Sequence, residues 1–98
     1  MPFVQLIEFQ TDKIDELTAI VDKWLETSKG WRTATRSTLT EDRDRPGSYV
    51  QMVEFPSYEA AMENSNRPET SEFAARMAAL CDGDAVFRNL DVLRSEEM

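Results

Sequence analysis

The sequence has 98 residues, of which 41% are hydrophobic and 31% are charged. This composition is typical of a globular chain, and the length predicts a single domain over residues 1–98. The formal net charge is −8 at pH 7. Such a chain lacks the basic surface with which proteins bind nucleic acid or anionic membranes, so neither is expected as a partner.

The cysteine and histidine content restricts the chemistry. Cys81 is the single cysteine, so no intramolecular disulfide can form, and no signal-peptide pattern opens the sequence. A cytoplasmic location is therefore the expectation. There is no histidine, which excludes histidine-dependent nucleophilic triads and the usual zinc sites. The acids Glu41, Asp42 and Asp44 alternate with arginines, as in a solvated loop, and a Mg²⁺ or Ca²⁺ site built from these carboxylates is the alternative. We expect neither a metal nor a cofactor.

The first part of the chain predicts a strand and a helix. The stretch Phe3–Phe9 is apolar on both parities, which indicates a strand covered on both faces. Apolar residues recur at helical spacing over Ile14–Leu25. We expect Thr11 or Asp12 to cap this helix and Gly30, in the left-handed conformation, to end it.

A hairpin is predicted next. The threonine-rich stretch Trp31–Thr40 favours an edge strand, and Tyr49–Phe55 favours a second strand. Between them, Pro46 and Gly47 suit the two central positions of a type II turn.

The rest of the chain predicts a second, interrupted helix and a final strand. The helix begins after Ser57 and is broken at Asn64–Pro68, where Pro68 suits the first turn of a renewed helix. Asp82–Asp84 ends it, and the last strand runs from Ala85 to about Leu93.

The predicted order is strand, helix, strand, strand, helix, strand. This is the ferredoxin-like α+β arrangement, βαββαβ, with a four-stranded antiparallel sheet and two helices on one face. The other face should also be apolar, because it carries Val4, Leu6, Val50 and Met52. A second copy of the chain is the simplest cover, so we expect a homodimer that joins sheet to sheet as an α/β barrel.

This pattern resembles the dimeric α/β-barrel superfamily and, within it, the antibiotic-biosynthesis-monooxygenase-like group. The similar segments are Phe3–Phe9, Tyr49–Phe55 with the following Pro56–Ala61, and Phe87–Leu93. The resemblance implies a homodimer with a ligand pocket between the sheet and the helices of each subunit. Members of the group include cofactor-independent oxygenases of polycyclic aromatic substrates and haem-degrading enzymes.

The haem-degrading pattern does not fit this chain. It uses an asparagine on the first strand, a tryptophan at the end of the third strand and a helical histidine. Ile7 and Phe55 occupy the first two positions, and the chain has no histidine. Haem degradation by that mechanism is therefore not expected.

The resemblance also indicates candidate pocket residues. If Phe55 faces the pocket, strand parity places Tyr49 and Gln51 on the same face, and Gln5 on the corresponding face of the first strand. Two amides and a phenol in an apolar cavity suit a planar aromatic ligand. The alternative is a filled core in which Gln5 and Gln51 bond each other or the backbone.

Three further candidates lie at the helix break. Asn64, Asn66 and Arg67 are placed at the pocket mouth, where Arg67 can meet an anionic group on a ligand. The alternative is that Asn66 caps the helix that begins at Pro68 and that Arg67 is solvated.

Glu8 and Glu54 should point from the opposite face into the barrel. Arg36 or Arg88 could pair with them across the dimer.

The leading functional interpretation is a small-molecule-binding dimer that oxygenates an aromatic or polyketide-like substrate without a cofactor. Because no general base is evident, a non-catalytic binding or regulatory dimer is the alternative, and the sequence leaves open whether the protein is an enzyme. A lesser alternative is a tautomerase that uses the amine of Pro2 as its base. An RNA-binding module is not expected, because the aromatic and basic strand motif is missing.

Overall fold

A computed structural model describes all residues, 1–98, as a sheet covered on one face by helices. The elements in chain order are β1 (Phe3–Gln10), α1 (Ile14–Thr27), β2 (Arg36–Glu41), β3 (Ser48–Phe55), α2 (Tyr58–Ser65), α3 (Pro68–Ala79) and β4 (Val86–Asp91). The sheet has the order β2-β3-β1-β4, and all its strand pairs are antiparallel. The predicted ferredoxin-like α+β fold is confirmed. The second predicted helix is two helices, α2 and α3, so the structure has three helices.

The strand register gives the two faces of the sheet a simple numbering. Directly paired residues are odd with odd and even with even on all four strands, as in the pairs Phe3–Phe55, Ser37–Val53 and Ile7–Phe87. The odd-numbered residues lie on the face that the helices cover, which we call the inner face. The even-numbered residues form the outer face.

Buried side chains lie at both ends of the inner face. Phe3, Phe55 and Ala61 form a cluster at one end, Phe9 is 7% exposed at the other end, and Leu17 of α1 is fully buried. On β4, by contrast, all six residues are exposed. Phe87 lies on the inner face and is still 57% exposed, so the helices leave the β4 side of this face open to solvent.

The ends of α1 differ from the prediction. Lys13 occupies the N-cap position without a side-chain bond, while the Thr11 hydroxyl accepts from the Lys13 amide at 3.0 Å and donates to the Leu80 carbonyl at 2.6 Å. Thr11 therefore joins the start of α1 to the end of α3. The helix ends at Thr27, and Gly30 has no positive φ, so the left-handed ending predicted there is wrong.

The hairpin and the helix break follow the sequence. Gly47 has φ +87°, and the Ser48 amide donates to the Arg45 carbonyl at 3.1 Å, which confirms the predicted turn. The Ser57 hydroxyl caps α2 by accepting from the Ala60 amide at 3.1 Å. Pro68 begins α3 as predicted. None of the helices is both long and apolar enough to cross a membrane.

Candidate functional site

Gln51 lies at the centre of the inner face, between Leu39 of β2 and Ile7 of β1. Its side-chain nitrogen donates to the Ser37 hydroxyl at 2.5 Å, and the residue is 9% exposed. The amide oxygen of Gln51 accepts no hydrogen bond from within the chain. This oxygen is not fully buried, so it is accessible to solvent. A hydroxyl or amine of a ligand could donate to it in place of water.

Gln5 lies on the same face without a hydrogen-bond partner for its side chain. It pairs with Val53 on one side and with Asn89 on the other. Gln51 bonds Ser37 instead of Gln5, so the alternative of a mutual bond between the two glutamines is wrong.

Ser37 and Asn89 are polar residues of this face that the sequence reasoning missed. Asn89 is two residues from Phe87 on β4 and therefore lies on the same face of the sheet. It could have been predicted from the sequence once the last strand was recognised. Ser37 could be found only with the β2–β3 register in hand, because its strand has a weak alternation. Together with Gln5 and Gln51, these two residues form the inner-face site.

Tyr49 lies at one end of the inner face, with its ring stacked on Phe9 at a centroid distance of 5.6 Å. Partial burial, and then the negative charge of the facing Glu41, raise the pKa of the Tyr49 hydroxyl. The phenol therefore stays protonated at neutral pH. Tyr49 can donate a hydrogen bond to a ligand but cannot serve as a ready base.

Phe55 forms a wall of the site. Its ring centroid is 6.3 Å from that of Phe3, which in turn contacts Tyr58 edge-on at 5.5 Å. Phe55 is 4% exposed. Phe55 therefore closes the end of the inner face that it shares with Phe3.

The three candidates at the helix break have local partners. Asn64 is buried, and its amide oxygen accepts from the Thr33 backbone amide at 3.4 Å. Asn66 is exposed and ends α2, so the predicted alternative that it caps α3 is wrong; Arg67 occupies that position. The Arg67 guanidinium lies 4.7 Å from the centroid of the Trp31 ring, a cation–π contact rather than free solvation.

Other parts of the molecule offer less chemistry. A surface cleft of about 130 Å³ lies between α1 and α3 and contains Trp24 stacked on Phe73 at 5.1 Å. Burial raises the pKa of the Cys81 thiol, which donates to the Met77 carbonyl at 3.3 Å. No group of three or more acidic or cysteine side chains is arranged to hold a metal ion. Pro2 is exposed outside the inner-face site.

The outer face carries two ion pairs within the chain. The shortest nitrogen–oxygen distances are 3.8 Å for Arg36–Glu54 and 3.3 Å for Arg88–Glu8. The acids that were predicted to pair across a dimer thus have partners in their own chain. Apolar side chains surround these pairs on the outer face: Val4, Leu6, Val50, Met52, Val86 and Leu90.

Comparison with known proteins gives a clear likeness of fold. No protein-family model matches the sequence, and no curated protein sequence matches it. Solved structures match over almost the whole chain. A mutant of SnoaB, a cofactor-independent oxygenase from Streptomyces nogalater, aligns with TM-score 0.81 and 16% identity over 96% of this chain and 95% of that chain.

Two further structures show the same likeness. Rv0793 from Mycobacterium tuberculosis has TM-score 0.78 and 18% identity, with 99% of this chain and 100% of that chain covered. An antibiotic biosynthesis monooxygenase has TM-score 0.73 and 18% identity, with 96% of this chain and 100% of that chain covered. The resemblance found in the sequence is thus confirmed at the level of the fold: the chain has the ferredoxin-like fold of the antibiotic-biosynthesis-monooxygenase-like proteins.

Proposed function

We propose that this protein binds a planar aromatic or polyketide-like molecule on its inner face and oxygenates it without a cofactor. The observation that carries the proposal is Gln51, a largely buried residue of the inner face whose solvent-accessible amide oxygen has no donor in the chain. Apolar side chains surround it, and the exposed Phe87 marks an opening to solvent. A concave apolar site with a few polar groups is the usual form of a small-molecule pocket.

The proposed reaction is the cofactor-free oxygenation of an acidic methylene group, with water as the acceptor of the proton. A methylene carbon between two aromatic or carbonyl groups of a substrate can lose a proton to give a stabilised carbanion. Reaction with one molecule of oxygen then converts the methylene group into a carbonyl group and releases one molecule of water, and the substrate carbon supplies all the electrons. A hydrogen bond from Tyr49 would stabilise the enolate oxygen, and a hydroxyl of the substrate would donate to Gln51 and hold the molecule in place. The likeness to SnoaB supports this choice of chemistry.

The proposal includes a homodimer, built from a single domain over residues 1–98. In one chain, the apolar outer face is open to solvent at Val86, which is 49% exposed, and at Leu90, which is 43% exposed. An open apolar sheet face is typical of a surface that another subunit covers. Leu6→Arg, at the centre of this face, should convert a dimer into a monomer, as measured by light scattering after size exclusion. A wild-type monomer would contradict this part of the proposal.

The oxygenase reaction can be tested with 2-hydroxyanthrone, a tricyclic ketone with an acidic methylene group and a phenol hydroxyl that can donate to Gln51. We expect the wild-type protein to accelerate oxygen uptake and quinone formation in stoichiometric amounts, without added metal or flavin. Gln51→Leu should reduce this acceleration about tenfold or more, because a donor on the substrate loses its partner. Gln10→Leu is the matched control, since Gln10 is exposed at the end of β1. Equal rates for the two variants would contradict the role of Gln51.

A non-catalytic binding or regulatory dimer is the second candidate. The four polar side chains of the inner-face site are three amides and a hydroxyl, none of which is a ready base, and the carboxylates of this face, Glu41 and Asp91, lie at its two ends. The proton would then have to pass to water or leave before binding. Tight binding of an aromatic molecule, with no oxygen uptake above the uncatalysed rate, would favour this candidate.

A further inference from the structure

Helix α3 is attached to the rest of the protein by little buried surface. None of its residues is buried, and it packs mainly against α1 and α2 rather than against the sheet. The strand that follows it, β4, is exposed along its whole length, and Phe87 on the inner face of β4 is 57% exposed. Burial of apolar surface therefore contributes little to holding α3 in place.

The C-terminal end of α3 is anchored to the region between β1 and α1. The Thr11 hydroxyl donates to the Leu80 carbonyl at 2.6 Å, and the Asp82 amide donates to the Gln10 carbonyl at 2.7 Å. Both bonds join the residues just after β1 or at its end to the residues that follow α3. This end of the helix can therefore stay attached while the rest of α3 moves.

The rest of α3 meets α1 along one row of side chains. Arg67, at the N-cap, is followed at intervals of three residues by Thr70 and Phe73, so the three lie along one side of the helix. The Arg67 guanidinium lies over Trp31, and the Phe73 ring is stacked on Trp24 of α1. Trp24 and Trp31 contact each other edge-on, with centroids 6.4 Å apart. We call this set of five residues the α1–α3 seam.

The seam buries two polar atoms that have no hydrogen bond, Nε1 of Trp24 and Oγ1 of Thr70. No other buried side-chain nitrogen or oxygen of the chain lacks a partner. Burying such a group is unfavourable, because the bond that it made to water is lost and not replaced. Aromatic stacking therefore favours the closed seam, whereas the desolvation of these two groups favours its opening.

We infer that α3 is a lid, which opens at the α1–α3 seam while the sheet, α1 and α2 stay folded. Its C-terminal end stays anchored, and its N-terminal part moves away from α1, so that water reaches Trp24 and Thr70. Opening widens the access to the inner face on the β4 side, where Phe87 already meets solvent. This role in ligand entry rests on the proposed ligand-binding function, whereas the opening itself does not.

Native-state hydrogen exchange, measured by NMR, tests the opening. A helix of 12 residues is only marginally stable in water by itself, so α3 should unravel and exchange its amides once it leaves α1. We expect the central amides of α3, in residues 73–77, to exchange about tenfold faster or more than those of α1 in residues 20–24. Equal rates would show that α3 opens only when the whole protein unfolds, and would refute the lid.

Two substitutions change the seam in opposite directions. Thr70→Val removes the unpaired hydroxyl and keeps the shape of the side chain, so it should slow exchange in α3 about fivefold or more. Phe73→Ala removes the stack on Trp24 and should speed exchange there by a similar factor. Thr18→Val is the matched control, because the Thr18 hydroxyl has a partner, the Asp15 carbonyl at 3.0 Å. If Thr70→Val slows exchange no more than Thr18→Val does, the inference is wrong.

Stopped-flow quenching of tryptophan fluorescence by 2-hydroxyanthraquinone tests the role in ligand entry. If the lid must open before the probe enters, Thr70→Val should slow association by the same factor as it slows exchange in α3. Slower exchange with an unchanged association rate would overturn the role in entry. If the probe does not bind to the wild-type protein while α3 exchanges early, the proposed function fails and the lid stands.

Discussion

Phe3→Ala and Phe87→Ala together test how the helices cover the inner face. Phe3 is 2% exposed and its ring packs against Phe55 and Tyr58. Its removal leaves a cavity in a small core, so we expect a loss of about 3–4 kcal/mol in the free energy of unfolding. Phe87 lies on the same face but is 57% exposed, and its removal should cost less than about 1 kcal/mol.

Urea unfolding followed by tryptophan fluorescence measures both losses at one fixed protein concentration, since a dimer unfolds in a concentration-dependent way. With a slope of about 2 kcal/mol per molar urea, Phe3→Ala should lower the midpoint by about 1.5–2 M. Phe87→Ala should lower it by less than about 0.5 M. Equal losses at the two positions would refute the argument that the helices cover the inner face at Phe3 and leave it open at Phe87 of β4.

Three further predictions concern single contacts. Gly47→Ala should destabilise the protein by about 1–2 kcal/mol in thermal unfolding, because φ is +87° there, whereas Gly30→Ala, with no positive φ and open space around it, should be neutral. Glu41→Gln should lower the raised pKa of Tyr49 towards the ordinary value of 10.0 in a spectroscopic titration of the phenol, and no change would exclude Glu41 as a cause. Because that folded-state pKa is raised, Tyr49 contributes stability below about pH 10 that is lost as the pH rises through the folded-state pKa. Thr11→Val should cost about 1–2 kcal/mol in urea unfolding through the loss of two hydrogen bonds, and Thr11→Ser should restore most of it.

The sequence predicted the sheet well because the apolar pattern of a strand records which faces are covered. The parity of Phe3–Phe9 and of Tyr49–Phe55 placed Gln5 and Gln51 on one face, and the register confirms that placement. The turn at Gly47 was equally predictable, since its φ favours glycine. These are local properties, which a single sequence shows directly.

The end of α1 was predicted wrongly because polar side chains just beyond the helix, rather than a glycine, complete it. The end of α1 is fixed by Arg32, whose guanidinium donates to the Leu25 carbonyl at 3.0 Å, and by Ser28, whose hydroxyl donates to the Trp24 carbonyl at 2.7 Å. These bonds satisfy carbonyls at the helix end without a glycine in the left-handed conformation.

The contacts of the candidate residues at the helix break could not be predicted from the sequence either. Thr33 approaches Asn64 only because the chain before β2 passes beside α2. The Arg67 guanidinium lies over the Trp31 ring, but the two residues are too far apart in the sequence for a local pattern to indicate this contact. The candidate residues could therefore be named from the sequence, but their contacts required the tertiary structure.

The position of β1 has a consequence for the order in which the protein folds. β2 and β3 are joined by a short turn, so their pairing closes a small loop at little entropic cost. β1 lies between β3 and β4, and Phe3 pairs with Asp91, across nearly the whole sequence. Such a long-range pairing forms slowly, because most of the chain must be brought together before any contact compensates for the lost entropy. The hairpin should therefore form early and β4 should dock last. The side of the sheet at which the proposed binding site is open to solvent is then also the last part of the fold to form.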